Sequence, residues 1–188
     1  TKQTELQQLK KQINPHFLFN MLNNANILVK DAPDEASQIL EKLDNLLRYQ
    51  LNDSTRREVF LTADIQFLTS FLELEKVRRD HFEYTIFQEG NMENICIPPL
   101  LFIPFVENAV KHNLDSDNLS YVHLYFSVHN KQLTFRCENS KPRVPVKREG
   151  GIGLANVKRR LDLLYESRYT LQIEDKETTY NVNLHLNL

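Results

Sequence analysis

The hydrophobic spacing of this sequence changes near residue 80, and this change constrains the fold more than any other feature. Before it, apolar residues recur every three or four positions, the spacing of amphipathic helices; from Phe82 they alternate with polar residues, as in strands. The sequence therefore predicts an α+β protein. A helical N-terminal part is followed by an α/β sandwich in which helices cover one face of a mixed sheet.

The helical part divides into two amphipathic helices joined by a short turn. A break at residues 31–34 puts Pro33 in the first turn of the second helix, which ends near Leu51. The two helices predict a hairpin over residues 1–57. Because a lone hairpin cannot bury both stripes, we expect a second copy to complete a four-helix bundle. Packing against the C-terminal part of the same chain is the alternative. The first stripe consists of Leu6, Leu9, Ile13, Phe17, Leu18, Leu22 and Ile27.

Residues 58–188 form the predicted second domain, behind a polar connector at residues 52–58 that we expect to act as a hinge. Thr62 is the expected N-cap of a helix that ends near Arg79. The other predicted elements are strands over 82–87, 121–128, 132–137, 169–173 and 180–186, helices over 100–112 and 154–165, and a hairpin turn at 129–131.

Charge and cysteine content argue against several classes of function. Lys and Arg number 23 against 25 Asp and Glu, a net charge of -2, so no basic surplus exists for a nucleic-acid backbone. Cys96 and Cys137 lie far apart without metal-ligand spacing, so we expect no disulfide framework. No apolar run reaches the roughly 18 residues of a membrane-spanning helix. Because the sequence begins within a helical pattern, we expect a fragment whose upstream part, with a membrane anchor, is absent.

The segment Asn14–Asn20 (NPHFLFN) is the most unusual stretch. Pro15 inside a helix would cost about 3 kcal/mol, so a chain that keeps it there has a reason to do so. His16 follows directly, and an imidazole nitrogen is a good nucleophile for a phosphoryl group near neutral pH. Alternatively, His16 is a packed or capping histidine beside an incidental kink.

Four polar side chains cluster on the predicted helix over 100–112. Glu107 and Lys111 are one turn apart, as are Asn108 and His112, so the four share one face. A carboxylate, an amide, an ammonium and an imidazole can together hold a metal ion and triphosphate oxygens. An ordinary solvated helix face is the alternative.

Glycines precede the predicted helix over 154–165, in the segment Gly150–Leu154 (GGIGL). Glycines let backbone N–H groups approach phosphates, and a helix N-terminus favours negative charge. The segment lacks the lysine of a Walker A loop and the full Rossmann fingerprint. Before it, residues 141–150 carry Lys141, Arg143, Lys147 and Arg148, which predicts either a lid over a nucleotide or a solvated surface loop.

Taken in order, these segments resemble the LytS/YehU-type sensor histidine kinases of bacteria. The NPHFLFN box of that family matches letter for letter, and the likeness runs from about Leu6 to Leu188. Further matches lie at residues 74–78 (LEKVR), 97–112 with its ENAVKH segment, and 151–157 (GIGLANV) with Arg159, Arg160 and Leu161 after it.

The resemblance implies a dimerisation and phosphoacceptor hairpin followed by a Bergerat-type (GHKL) ATP-binding domain. His16 would be the phosphoacceptor, Asn108 would bind Mg²⁺, and Glu107 beside it would orient the γ-phosphate chemistry. The nucleotide-binding residues would be Asn108, Lys111, His112, Glu138, Asn139, Gly151, Gly153 and Leu154.

The family also implies a homodimer that phosphorylates its own histidine from ATP and passes the phosphoryl group to the aspartate of a response regulator. That regulator would carry a LytTR-type DNA-binding domain, so the kinase itself would not contact nucleic acid. The full-length protein would lie at the cytoplasmic face of the bacterial inner membrane, held by its upstream segment, whereas this fragment would be soluble.

One segment departs from the family pattern. Where the family has Asp-Asn-Gly-x-Gly, with the aspartate bonded to adenine, this sequence has Glu138-Asn139-Ser140-Lys141-Pro142. Adenine would bond to Glu138 after a backbone shift, or to Asn139. The lost glycines leave open a dimeric signalling module that no longer binds nucleotide. A third reading is a GHKL-type ATPase or serine kinase in which His16 is only structural.

Overall fold

Helices dominate the described residues before position 80, and most of the strands come after it, as the change in hydrophobic spacing predicts. The computed structural model describes residues 1–9, 14–145 and 152–188. Its helices are α1 (Lys2–Leu9), α2 (Pro15–Leu28), α3 (Pro33–Leu51), α4 (Leu61–Arg78), α5 (Ile103–His112) and α6 (Ile152–Tyr165). Its strands are β1 (Val59–Phe60), β2 (Phe82–Glu89), β3 (Cys96–Ile97), β4 (Ser120–His129), β5 (Gln132–Ser140), β6 (Tyr169–Asp175) and β7 (Thr179–Asn187).

The chain forms two compact units that do not divide at the predicted boundary between residues 57 and 58. One unit takes residues 11–80 and 93–101, and the other takes 1–10, 81–92 and 102–188. Helix α4, expected in the second domain, therefore belongs with α2 and α3. The physical reason is that α4 has ten buried residues, which need cover from α3 as well.

The helical unit is built on the hairpin of α2 and α3. Helix α2 buries Phe17, Met21 and Ala25, which are spaced by four residues and so lie on one side of the helix. Helix α4 completes the core, and an ion pair at 2.9 Å joins Lys42 of α3 to Glu73 of α4. The hairpin confirms the predicted antiparallel pair of amphipathic helices at α2 and α3.

A buried polar contact fixes α3 against α4. The Tyr49 hydroxyl donates to Asp64 Oδ1 and accepts from the Leu100 backbone N–H at 3.3 Å. The Tyr49 ring also stacks on Phe67, with centroids 4.3 Å apart. Burial, and then the negative charge of Asp64, raise the pKa of Tyr49 well above its ordinary value, so the phenol remains a donor.

The described residues of the second unit form a five-stranded mixed sheet in the order β2-β4-β5-β7-β6, in which β2 and β4 are parallel and the other neighbouring strands antiparallel. The predicted hairpin turn is confirmed between β4 and β5. Asn130 and Lys131 there have φ of 48° and 61°, the left-handed pair that a tight two-residue hairpin requires. The mixed sheet confirms the predicted α+β fold class.

Aromatic rings join α5 to this sheet. Phe102, just before the helix, lies 5.3 Å from Phe126 and 4.6 Å from Phe135 in centroid distance. Phe105 of α5 lies 5.9 Å from Phe135. All four rings are buried. This cluster fixes which face of α5 is turned away from the sheet.

Helix α1 packs in the same unit, on α6. Arg159 of α6 donates twice to the Glu5 carboxylate, at 2.6 and 3.1 Å, which lowers the pKa of Glu5. Helix α1 was expected to continue the hairpin, but it buries none of its residues.

Two predicted helix starts are wrong for identifiable reasons. Thr62 is not an N-cap, because the helix begins at Leu61, whose N–H is bonded at 2.8 Å to the Ile95 carbonyl beside the β1–β3 pair. Helix α5 begins at Ile103 rather than at residue 100, because Leu100 adopts a left-handed φ of 59° that a helix cannot contain.

Among the described residues, no helix is both long and apolar enough to cross a membrane.

The buried phenol yields a stability prediction. Tyr49→Phe keeps the ring on Phe67 but removes the donor to Asp64, so the free energy of unfolding should fall by about 2 kcal/mol in urea titrations. Below about pH 10 the Tyr49 phenol is protonated in both the folded and the unfolded chain. Above that pH the phenol of the unfolded chain ionises first, because the pKa of Tyr49 is raised in the folded protein. The parent should therefore lose more stability than the variant as the pH rises above about 10.

Tyr125→Phe is the matched control, since its hydroxyl donates to the exposed Glu89 carboxylate. Its unfolding free energy should change by less than about 0.5 kcal/mol. An equal fall in unfolding free energy in the two variants would show that the buried Tyr49 contact stabilises the protein no more than an exposed one.

Candidate functional site

The segment containing His16 begins a helix rather than kinking one, so the placement of Pro15 in a helix interior was wrong. Pro15 is the first residue of α2, and the Asn14 side chain accepts the His16 backbone N–H at 2.9 Å as its N-cap. Proline is favoured at this position because the missing N–H would have no partner within the helix. The spacing of apolar residues predicted one continuous helix here, because apolar residues recur at helical spacing both before and after the Asn14 cap.

His16 itself is exposed, although the next residue, Phe17, is buried. The ring Nδ1 of His16 lies 3.3 Å from the Asn20 side-chain amide nitrogen, one helical turn along. Asn20 was not predicted as a site residue, although its spacing of four residues from His16 places both side chains on one side of a helix. Helix α2 thus presents an imidazole to solvent with one ring nitrogen already engaged.

The outer side of α2 that includes His16 is also apolar. Phe19 is 69% exposed, Ile27 66% and Leu22 44%. These side chains point away from the buried row of Phe17 and Met21, because they lie at different angles around the helix. Exposed apolar side chains therefore lie on the outer side of α2 that also carries the exposed histidine.

Helix α5 brings its four predicted site residues together on one face. Val106, Ala109 and Val110 are buried on the side toward the sheet. Glu107, Asn108 and His112 are partly exposed and Lys111 is exposed, on the other side of the helix. The face thus combines two oxygen-bearing side chains with a cation and an imidazole.

Strand β5 separates the two predicted adenine ligands. Asn139 is 1% exposed and follows the inward row that includes Cys137, whereas Glu138 points to the opposite face of the sheet. There the Glu138 carboxylate lies 3.6 Å from His123 Nδ1 on the neighbouring strand. Because side chains alternate along a strand, the structure brings Asn139, and not Glu138, to the face that contacts α5.

The glycine segment is described only in part. Gly153 and Leu154 lie in the first turn of α6, Gly153 being exposed with nothing within 4 Å of the position of a Cβ. Gly151 lies outside the described residues, as do Lys147 and Arg148 of the basic segment. Lys141 is bound to the Asp175 carboxylate and the Lys176 carbonyl oxygen.

Within the described ranges, no group of three or more His, Cys, Asp or Glu side chains could hold a metal ion. The α5 face offers instead the oxygens of Glu107 and Asn108. Such a small set suits Mg²⁺, which keeps several waters and binds through substrate phosphates with one or two protein oxygens. These residues therefore fit a magnesium–nucleotide complex better than a metal held by the protein alone.

Comparison with known proteins gives matches to histidine kinases. The sequence model described as histidine kinase matches residues 4–82. The sensor protein LytS of Staphylococcus haemolyticus is 30% identical over 98% of this chain and 34% of its own length. The sensor histidine kinase YpdA of Escherichia coli is 33% identical over 58% of this chain and 20% of its own length.

The chain is similar to the LytS-type sensor histidine kinases. The resemblance inferred from the motifs is thereby confirmed. The chain spans about a third of the length of the LytS relative, 34%.

Solved structures show the same fold. The histidine kinase domain of the blue-light activated kinase of Erythrobacter litoralis aligns with a TM-score of 0.53 and 16% identity, over 100% of this chain and 92% of that one. The catalytic domain of the histidine kinase ThkA aligns with a TM-score of 0.52 and 16% identity, over 69% and 93% of the two chains. The predicted GHKL fold is confirmed.

The cap and the proline generate a prediction about the histidine-bearing turn. Pro15→Ala should change the free energy of unfolding by less than about 1 kcal/mol, because Pro15 breaks no hydrogen bond at the first helical position. Asn14→Ala should cost about 1 kcal/mol, whereas Asn14→Asp should retain the cap. Urea titration measures all three. A stabilisation of several kcal/mol in Pro15→Ala would contradict the cap, since it would place the proline in a helix interior.

Proposed function

We propose that this chain is the catalytic core of a two-component sensor kinase, which transfers the γ-phosphoryl group of ATP to His16. The observation that carries the proposal is the exposed imidazole of His16 on the capped first turn of α2, within the box that the family shares. A nucleophile for a bulky nucleotide must be accessible and must be held in place, and His16 meets both requirements.

The reaction needs one ring nitrogen with a free electron pair. Asn20 engages Nδ1, and its amide oxygen can accept the Nδ1 proton because amide O and N exchange places on rotation. Nε2 then carries the electron pair and attacks the γ-phosphorus. An N–P bond forms, the bond to the β–γ bridging oxygen breaks, and ADP leaves with that electron pair. The imidazolium then loses its Nδ1 proton to solvent.

The α5 face is the proposed site for the triphosphate. Mg²⁺, when bound, would neutralise phosphate charge, with Asn108 as its protein ligand and Glu107 beside it orienting the γ-phosphate chemistry. Lys111 and His112 would contact the phosphates. Catalysis of this kind depends mainly on positioning and on neutralising charge, which this combination of side chains can supply.

The remaining nucleotide contacts would come from β5 and α6. We propose Asn139 as the adenine ligand, because it lies on the inner face of β5, whereas Glu138 faces away. Gly153 and Leu154 lie at the start of α6, where backbone N–H groups can bind phosphate oxygens, and Gly151 is assigned to the same role by the family pattern.

A homodimer is part of the proposal. The exposed apolar side of α2 around His16, with Leu40 and Leu51 exposed on α3 at 45% and 67%, supplies the surface that a second hairpin would cover in a four-helix bundle. The downstream partner would be a response regulator with a LytTR-type DNA-binding domain. The whole protein would be anchored upstream, with this part at the cytoplasmic face of the bacterial inner membrane.

A dimeric signalling module that binds no nucleotide is the second candidate function. It is favoured by residues 138–142, where both family glycines are replaced and where Lys141 is held by Asp175 rather than free for a phosphate. Nucleotide binding distinguishes the two candidates.

Labelling with γ-radiolabelled ATP and Mg²⁺ tests the phosphoacceptor. The parent chain should acquire an acid-labile, base-stable label, and His16→Gln should lose it, because glutamine offers no nucleophilic nitrogen. His129→Gln is the matched control, since His129 is an exposed histidine beside the β4–β5 turn; its label should persist.

A label that survives in His16→Gln would overturn the assignment of His16. Phosphate release without any label would favour an ATPase or a kinase of another protein. Absence of ATP binding would favour the signalling module.

Direct ATP titration tests the adenine ligand. Asn139→Ala should weaken ATP binding about tenfold through loss of one buried hydrogen bond. Asn139→Asp should bind at least as tightly as the parent, because it places a carboxylate, the group that bonds adenine in the family, on the inner face of β5, and Glu138→Gln should leave the Kd unchanged. Loss of affinity in Glu138→Gln alone would reverse the assignment.

A further inference from the structure

One side of α4 faces the first turn of α2. The ring centroid of Phe71 lies 5.2 Å from that of Phe17, and the guanidinium carbon of Arg78 lies 5.9 Å from the Phe17 centroid. Phe71 and Arg78 are seven residues apart, two helical turns, so they point the same way from α4. Phe17 thus contacts both a ring and a cation of α4.

Arg78 is held in this position by a buried carboxylate. Glu75 is 1% exposed, and its Oε1 lies 2.7 Å from Arg78 Nη2 and 3.7 Å from Arg79 Nη1. A buried carboxylate must be paired, and arginine pairs well because its planar guanidinium has several donors. Burial also lowers the pKa of Arg79, an effect that the charge of Glu75 opposes.

Phe17 is the first buried side chain of α2 and directly follows His16. A cation over an aromatic ring and a ring–ring contact together stabilise one placement of the Phe17 side chain. Since α2 is continuous from Pro15, fixing Phe17 fixes the backbone that carries His16. The Asn14 cap secures the same turn through its hydrogen bond to the His16 N–H.

We propose that Arg78, anchored by Glu75, is a positioning residue for the phosphoacceptor: through Phe17 it sets the orientation of the His16 turn for phosphoryl transfer. This inference rests on the proposed kinase function. Phosphoryl transfer is sensitive to small displacements of the nucleophile, so loss of Arg78 should lower kcat. The KM for ATP should not change, because none of the proposed nucleotide ligands is involved.

The test compares variants of Arg78 in the full chain. Arg78→Met keeps an apolar stem and removes the charge; it should lower kcat for His16 labelling about tenfold, with KM for ATP within about twofold of the parent. Arg78→Lys keeps a cation and should restore most of the rate. The control is Arg136→Met, which removes a similar cation–ring contact at 5.5 Å over Tyr125 and should leave both constants unchanged.

A second readout does not require ATP. The amides of Phe17 and Leu18 are bonded to the Asn14 carbonyl at 3.0 and 3.4 Å, and their hydrogen exchange reports the stability of the turn. Exchange at these two amides should accelerate in Arg78→Met and stay unchanged in Arg136→Met. If the parent chain takes no label from ATP, the proposed function fails, and unchanged exchange in Arg78→Met would separately overturn the positioning role.

Faster exchange with an unchanged kcat would show that Arg78 serves structure alone and would overturn the inference, as would a raised KM with an unchanged kcat. If Arg78→Met does not fold, Phe17→Leu removes the ring beneath the arginine and should give the same fall in kcat. Where both fold, the double variant should be no slower than the slower single one, because the two residues act through one contact. If the kcat losses of the two single variants multiplied in the double variant, the two residues would act independently, which would contradict the proposal.

Discussion

The packing of Phe17 is the interaction on which the helical unit depends. Helix α2 must bury this side chain against α4 while it keeps the adjacent His16 at the surface, and successive residues of a helix can do so because they lie about 100° apart. The N-cap by Asn14 fixes where that helix starts, and therefore which residue faces which way. A shift of one residue at the cap would bury the imidazole and expose the ring.

In the second unit, too, the position of a residue along its helix or strand decides whether its side chain faces the core or the surface. The aromatic cluster of Phe102, Phe126 and Phe135 packs one side of α5 against the sheet. The polar residues of α5 therefore lie on the side that faces away from the sheet. In β5 the side chains repeat every two residues rather than every 3.6, so neighbouring residues point to opposite faces of the sheet. Asn139 lies inside with Cys137, while Glu138 pairs with His123 on the far face.

These periodicities explain what the sequence could predict. The kinds of element, the β4–β5 turn and the shared face of Glu107 and Lys111 all follow from local spacing. Local spacing cannot show that Pro15 begins a helix, since apolar residues continue on both sides. The start of α4 depends on Ile95, more than 30 residues later, and the facing of Glu138 and Asn139 depends on a register that β4 and β7 impose. The motif resemblance supplied the family, but not these placements.

The expected hinge at residues 52–58 illustrates the same limit. A polar composition indicated a flexible connector, yet Asp53–Thr55 form a 3₁₀ turn in which Ser54 is buried and Thr55 donates to the Asn52 carbonyl at 2.6 Å. Helix α4 then packs on α3 directly. Residues 52–58 lie within one compact unit, so their polar composition does not mark a boundary between units.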